Sequence, residues 1–436
     1  MLRALRGDLL GVYERLASYG DLAYTRFLGH QVYMVSDPDR IFDVLVTDNR
    51  KFMKGQATQE AKRLLGEGLF TSDGDLHRRQ RKLLQPIFHP VHLHRQGEIA
   101  VECAGRIGRK WADGETIDVG DTMRRVTLEI LGKAILDYDL VPHLRTFADA
   151  SEAAVAMVEK VLRPWGPAVE KLPLPTARRF RRHRAQLFTL VDDIIARRRT
   201  ALGDQDQDLI SLMLRKQAEV GSGVLTDDQI RDEVVTIVFA GHETVTTQMT
   251  WTYHLLAQHP QVIAELHAEL DDVIGDATPS AEHLPLLRYT EQILLESMRM
   301  YPPAYALQRR ALVDYEIGDC PVPEGSILVC SPWILHRSSR WFPEPERFDP
   351  SRWTPAFRES LPPMSYFPFG RGPRACPGEA FAMVEARLLL ATLFRDWTVR
   401  PVPGPPVGTS SSISLRPDAP VRVVVERRRP ARPRCR

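Results

Sequence analysis

The chain has 436 residues, 43% of them hydrophobic and 26% charged, with a formal net charge of +2, an ordinary balance for a globular protein. That charge excludes a strong field for nucleic acid or a membrane surface, and with no apolar run of about 18 residues no membrane-spanning helix is expected. Cys103, Cys320, Cys330, Cys376 and Cys435 are odd in number and lack paired spacing, so reduced thiols and a cytoplasmic location are expected.

No linker, composition break or repeat divides the sequence, and a single domain over residues 1–436 is expected. Residues 8–20 read as an amphipathic helix, Val32 to Ser36 as a strand and Pro38 to Thr47 as a helix. Residues 53–74, with Gly55, Gly66, Gly68 and Gly74, read as a mobile loop. Asp75 to Gln85 is a basic helix on which His77 and Arg81 share one face and Arg78 and Lys82 another; taken alone it is a solvated face. His89, His92 and His94 do not form a zinc pattern, because Pro90 breaks the helix that would align them. Residues 95–200 are mostly helical by period, with Thr127 to Leu136 as one core helix. Two arginine clusters, Arg178 to Arg184 and Arg197 to Arg199, lack the interleaved aromatics of a nucleic-acid site and read as solvated helix faces.

Thr226 and Gln229 form a capping box, from which a helix runs to about Gln258, roughly 48 Å long, stopped by His259-Pro260. Val234 to Ala240 is apolar on all sides and therefore buried. The polar run Gly241-His-Glu-Thr then costs free energy unless partnered. It is either a hydrogen-bonded kink or an opening at Gly241 for a ligand and water. Downstream, Asp271 to Tyr301 holds two helices, the second closed by Pro302-Pro303. Glu296 and Arg299 are i,i+3, a spacing that Glu60/Arg63 and Glu344/Arg347 share and that contributes about 0.2–0.5 kcal/mol when exposed. Ile327 to Cys330 and residues 410–426 read as strands, and the basic tail 427–436 as disordered.

Tyr366 to Glu379 is too rich in Gly and Pro for regular structure. It holds Cys376 just ahead of an apolar helix beginning at Glu379, where the helix dipole favours a thiolate. For a lone cysteine a buried structural thiol is the simpler reading. The pattern Phe369-x-x-Gly372-x-Arg374-x-Cys376-x-Gly378, with Gly370, changes that: it resembles the haem-binding signature of the cytochrome P-450 family at all five positions.

The resemblance implies a mainly α fold, a triangular helical domain with a small β-rich lobe from about 21–60, 304–332 and 398–426. It implies haem b (iron protoporphyrin IX) on the Cys376 sulfur, whose electron donation favours O–O cleavage, with Phe369 shielding the sulfur. His77, Arg81, Arg309 and Arg374 would hold the propionates, with Arg310 competing with Arg309 and His336 a weaker candidate. Ala240, Gly241, Glu243 and Thr244 resemble the oxygen-binding groove: Thr244 would hydrogen-bond dioxygen and Glu243 would feed protons. Leu65, Leu69, Phe70, Phe239, Ala304, Tyr305 and Ala306 would wall the substrate pocket. Glu296 and Arg299 would lock the fold with Arg352 in preference to Arg347, although Trp353 stands where the family usually has Phe. Pro377 cannot donate a backbone N–H to the sulfur.

The activity implied is monooxygenation, the hydroxylation or epoxidation of an apolar small molecule with O2. Gly370-x-Gly372 lacks a third glycine and the strand–helix context of a dinucleotide site. Electrons are therefore expected from separate proteins, a ferredoxin and its NAD(P)H-dependent reductase, which would meet Arg78 and Lys82. A monomer without nucleic-acid or membrane partners is expected. A peroxide-driven peroxygenase would not need Glu243 and Thr244, and a haem sensor would show no turnover.

Overall fold

The computed structural model describes residues 8–27, 29–161, 174–203, 206–221, 223–411 and 413–428. The first helix, Leu9–Ala17, buries Leu10 and Tyr13. It packs on a hairpin of β1 (Leu22–Phe27) and β2 (His30–Val35). These strands belong to a five-stranded sheet in the order β1-β2-β8-β5-β3, where β3 is Phe52–Lys54, β5 Leu307–Ala311 and β8 Ile327–Cys330. The β2–β8 pair is parallel, with Val32 opposite Ile327, and the other pairs are antiparallel. All four residues of β8 are buried, as expected for a central strand covered on both faces. One small core, including Tyr33, Val35, Phe52 and Leu328, lies against this sheet.

The remaining mass is helical. The helix Asp227–Gln258 forms with the expected capping box and stops at the expected residue. It is the axis of the large core: Trp251 and Tyr253 are both fully buried in it. The helices Arg288–Met300 and Glu379–Asp396 pack against it.

The segment 398–426, expected with the β-rich lobe, divides between two other sheets. β12 (Arg422–Arg427) is the central strand of one, paired with β9 (Trp397–Pro401) on one side and β4 (Glu115–Asp118) on the other. β10 (Thr409–Ser411) and β11 (Leu415–Pro417) form a separate hairpin. Arg427, placed at the start of the tail by sequence, is opposite Trp397 in the sheet; residues 429–436 lie outside those described.

Within the expected mobile loop over 53–74, Gln56–Glu60 and Lys62–Leu65 are short helices. Its remainder is held by buried side chains far away in sequence, which no local pattern reveals. The helix Asp227–Gln258 continues through Gly241. A side chain there would have its Cβ 2.6 Å from Leu131 Cδ1, so the glycine admits the close approach of a neighbouring helix. Among the described residues no helix is long and apolar enough to cross a membrane.

Candidate active site

The loop before the helix Glu379–Asp396 is shaped by two glycines in the left-handed region, Gly370 at φ 68° and Gly372 at φ 75°. A Cβ on Gly372 would also stand 2.5 Å from the Leu45 carbonyl oxygen, so neither position accepts another residue without strain. Gly378 has ordinary geometry, and a Cβ added there would stand 3.5 Å from the Phe88 ring and 3.9 Å from the Cys376 sulfur. The Cys376 N–H donates to the Phe369 carbonyl at 2.9 Å, closing the loop on itself.

Two arginines fasten the loop. Arg374 donates to the carbonyls of Asn49 and Phe52 at 3.0 and 2.8 Å and pairs with Asp73 at 3.0 Å. Arg81 donates to the Ala375 carbonyl. The thiol is left open to a cavity of about 1990 Å³, beyond the roughly 300–1,000 Å³ of a single small-molecule pocket.

Although accessible from the cavity, the thiol is otherwise enclosed by protein, and that desolvation pushes its pKa up. The Gly378 N–H and Arg81 oppose the rise, and Glu379 adds to it. The helix dipole alone therefore does not make a free thiolate here. A coordinated metal would, because a coordinating thiol is deprotonated by the ion's own charge.

The cavity brings together every residue expected at the cofactor and substrate sites. Cys376, Phe369, Gly370, Gly378, His77, Arg81, Arg309 and Arg374 line it, as do Ala240, Gly241, Glu243 and Thr244. Leu65, Leu69, Phe70, Phe239, Ala304, Tyr305 and Ala306 complete its wall. Phe239 to Gly241 and Glu243 to Thr244 are not fully buried within a helix otherwise deep in the core, because they face this space. Arg78 and Lys82 are exposed on the other side of their helix.

Sequence reasoning missed Lys54, a lone lysine in a short strand with no motif spacing. It is buried, lines the cavity, and lies with Arg309, Arg374 and His77. Burial, with these neighbouring charges, lowers Lys54 to about 7 and His77 to about 4. Burial and Arg374 lower Arg309 to about 10. Asp73 is the acid that opposes all three shifts, so positive charge is in excess. Arg309 Nε is moreover buried without a hydrogen-bond partner. This is a cradle for a bulky group bearing carboxylates, and with the open thiol it fits haem. Arg310 points away from the choice, being exposed while Arg309 is buried. His336 is fully buried and outside the cavity wall: its Nε2 accepts the Phe367 N–H at 3.0 Å, bracing the cysteine loop from behind.

Thr244 Oγ1 donates to the Ala240 carbonyl at 2.7 Å, which leaves its oxygen as an acceptor. Glu243 Oε1 receives Arg416 Nε at 2.5 Å, Ser414 Oγ at 3.1 Å and Thr247 Oγ1 at 3.4 Å. Arg416 and Ser414 come from the β10–β11 hairpin region, which also borders the cavity. No sequence spacing signalled this partnership, because the two segments lie far apart in the chain.

Behind the cysteine loop Glu296 collects five donors. Arg299 supplies Nε at 2.8 Å and Nη2 at 2.9 Å, Arg352 Nε at 2.9 Å, Asp349 its N–H at 3.0 Å, and Trp353 Nε1 at 2.9 Å. Glu296 and Arg299 are both 0% exposed, whereas Glu344 and Arg347, at the same spacing, are at the surface. Burial separates the structural pair from its look-alike. Trp353 is an added partner of the carboxylate.

The family model for cytochrome P450 matches residues 10–423, and the chain belongs to that family, the haem-dependent monooxygenases that use O2 and redox partners. Its architecture is shared by the haem domain of cytochrome P450DA, with a TM-score of 0.85 and 28% identity over 97% of this chain and 94% of that one. Among relatives, cyclooctatin synthase of Streptomyces melanosporofaciens is 34% identical over 417 residues, covering 95% of this chain and 90% of the relative. Cyclooctat-9-en-7-ol 5-monooxygenase of the same organism is 35% identical over 399 residues, covering 89% and 84%. Pentalenene oxygenase of Streptomyces avermitilis is 32% identical over 412 residues, covering 94% and 88%.

Proposed function

We propose that this monooxygenase oxidises a polycyclic terpenoid hydrocarbon, by hydroxylation or epoxidation. The observation that carries the reading is one cavity in which an apolar wall faces both an open cysteine thiol and the Glu243–Thr244 pair. The relatives named for cyclooctatin, cyclooctat-9-en-7-ol and pentalenene support the substrate class.

Haem b, bound through Cys376, would supply the redox centre that splits O2, inserting one atom into substrate and releasing the other as water. Arg81, Arg309, Arg374 and the unforeseen Lys54 would hold its carboxylates by charge-assisted hydrogen bonds, and the neutral His77 would add an ordinary one. Leu65, Leu69, Phe70, Phe239 and Ala304 to Ala306 exclude water and orient the hydrocarbon. The acceptor oxygen of Thr244 holds a water in the cavity, and Glu243 replenishes its proton. Glu296, Arg299 and Arg352 keep the loop carrying Cys376 in register. The exposed Arg78 and Lys82 meet an acidic ferredoxin, itself reduced by an NAD(P)H-dependent reductase, and the protein works as a cytoplasmic monomer.

The test is reconstitution with ferredoxin, its reductase and NADPH under 18O2, offering pentalenene, cyclooctat-9-en-7-ol and a fatty acid. A terpenoid product carrying one labelled oxygen is expected. Conversion of the fatty acid alone, with no terpenoid spin-state shift, overturns the substrate class.

A further inference from the structure

The cavity wall at residues 66–72 rests on the long helix through a fitted set of polar contacts. The Leu69 N–H donates to Glu233 Oε2 at 2.9 Å, and the Leu69 carbonyl accepts from Lys54 Nζ at 2.7 Å. Lys54 also donates to the Ser72 carbonyl at 2.8 Å, and the Glu67 N–H donates to Asp232 Oδ2 at 2.8 Å. Both backbone polar groups of Leu69 thus end on buried ionisable side chains, Glu233 at 0% and Lys54 at 8% exposure.

The two glycines between these bonds have no room for a side chain. A Cβ on Gly66 would collide with the Asp232 carboxylate, and one on Gly68 with the Thr236 hydroxyl. Gly66 also has φ 62°. Gly66-Glu-Gly-Leu69 therefore seats directly on Asp232-Glu-x-x-Thr236. Removing a carboxyl and an ammonium from water costs several kcal/mol each unless they are well bonded. Apolar contacts would anchor a loop at less cost, so fixing one peptide in place is what this arrangement adds. Burial raises Glu233 to about 8, against the Leu69 N–H and Lys54, which lower it.

We propose that Glu233 and Lys54 are positioning residues for substrate. By clamping the Leu69 peptide they hold Leu69 and Phe70 as a fixed wall, and this wall decides which carbon of a bulky hydrocarbon is presented for oxidation. Lys54 also stands beside Arg309 and Arg374, so the clamp joins the wall to the cofactor cradle. The identity of the hydrocarbon rests on the reading above; the clamp does not.

The test titrates haem-loaded protein with imidazole, which needs no wall, and with 4-phenylimidazole, which must fit against it, following the Soret band. In Glu233→Leu and Gly68→Ala the 4-phenylimidazole Kd should change by about tenfold, equivalent to about 1.4 kcal/mol. The imidazole Kd should stay constant. Glu233→Gln, whose amide oxygen still accepts the Leu69 N–H, should restore the original values. Unchanged 4-phenylimidazole affinity in the loaded variants overturns the proposal. So do equal changes for both ligands, which would make the contacts a general support of the haem site. Should Glu233→Leu not load haem, Gly68→Ala decides, because it leaves the basic cluster untouched. Neither probe is a terpenoid, so the outcome is independent of the substrate reading.

Discussion

Arg416 Nε lies 2.5 Å from Glu243 Oε1 and ties the strand β11 to the long helix one residue before Thr244. Ser414 and Thr247 bond the same oxygen, and among the described residues nothing bonds Oε2. One carboxylate oxygen is held while the other is left open, the arrangement that the proposed proton-delivery role requires. Arg416→Ala should therefore diffuse the carboxylate and send a larger share of NAD(P)H into hydrogen peroxide. Arg416→Lys should recover part of the coupling. Peroxide formed per NAD(P)H consumed reads this directly; identical ratios in all three proteins would remove the arginine from proton delivery.

Thr244→Ala should have a larger effect of the same kind. The methyl leaves no oxygen to hold a cavity water, and general-acid contributions are commonly about 10²–10⁴-fold. Product should fall while NAD(P)H consumption continues as peroxide. Thr244→Ser keeps the acceptor and should keep most of the coupling. The carbon monoxide difference spectrum of both should match the parent, since neither touches Cys376.

Glu296→Ala leaves Arg299 buried without its counter-charge, a change that typically costs about 3–5 kcal/mol. Little folded, haem-loaded protein should be recovered. Trp353→Phe removes one of the five donors to the carboxylate, and a hydrogen bond to a charged group is worth about 1.5–3 kcal/mol. That variant should load haem but melt several degrees lower. An unchanged Tm would show the indole contact to be idle.

Pro377 stands between Cys376 and Gly378, whose N–H lies by the thiol and opposes the rise in its pKa. Proline supplies no donor of its own, and N–H bonds to a ligating sulfur temper its donation to the metal. Pro377→Leu should raise the iron potential, as read by spectroelectrochemical titration. A potential that is unchanged or lower rejects the idea.

His336 sets an acid limit on the fold. Its Nε2 accepts the Phe367 N–H, and burial together with the Arg299 charge depresses it to about 3. The unfolded chain's histidine titrates near about 6.5, so between these values the unfolded state binds the extra proton. Stability is fully present above about pH 6.5 and is lost as pH falls towards 3, at up to about 1.4 kcal/mol per unit. Replacing His336 with Gln should flatten that slope in acid-unfolding curves; an unaltered slope would assign acid sensitivity elsewhere.

Much of the site was legible because its residues carry chemistry at fixed local spacing. The cysteine loop, the capping box at Thr226 and the Glu296–Arg299 turn are all short-range patterns. What stayed hidden depends on contacts between distant segments. Lys54 and Arg416 carry no spacing signal, and β4 at Glu115–Asp118 is defined by pairing with β12 more than 300 residues later. Gly241 shows the limit from the other side: the sequence marks a glycine in a buried helix, but the close approach of Leu131 that excludes a side chain there comes from a distant segment.

The surplus of cations around Arg309 also bears on how the protein matures. Mutual repulsion there is relieved when a dianionic porphyrin arrives, and a ligand that favours the native state stabilises it by mass action. Haem supply during synthesis should accordingly govern yield, with the unloaded polypeptide the species that proteases clear first.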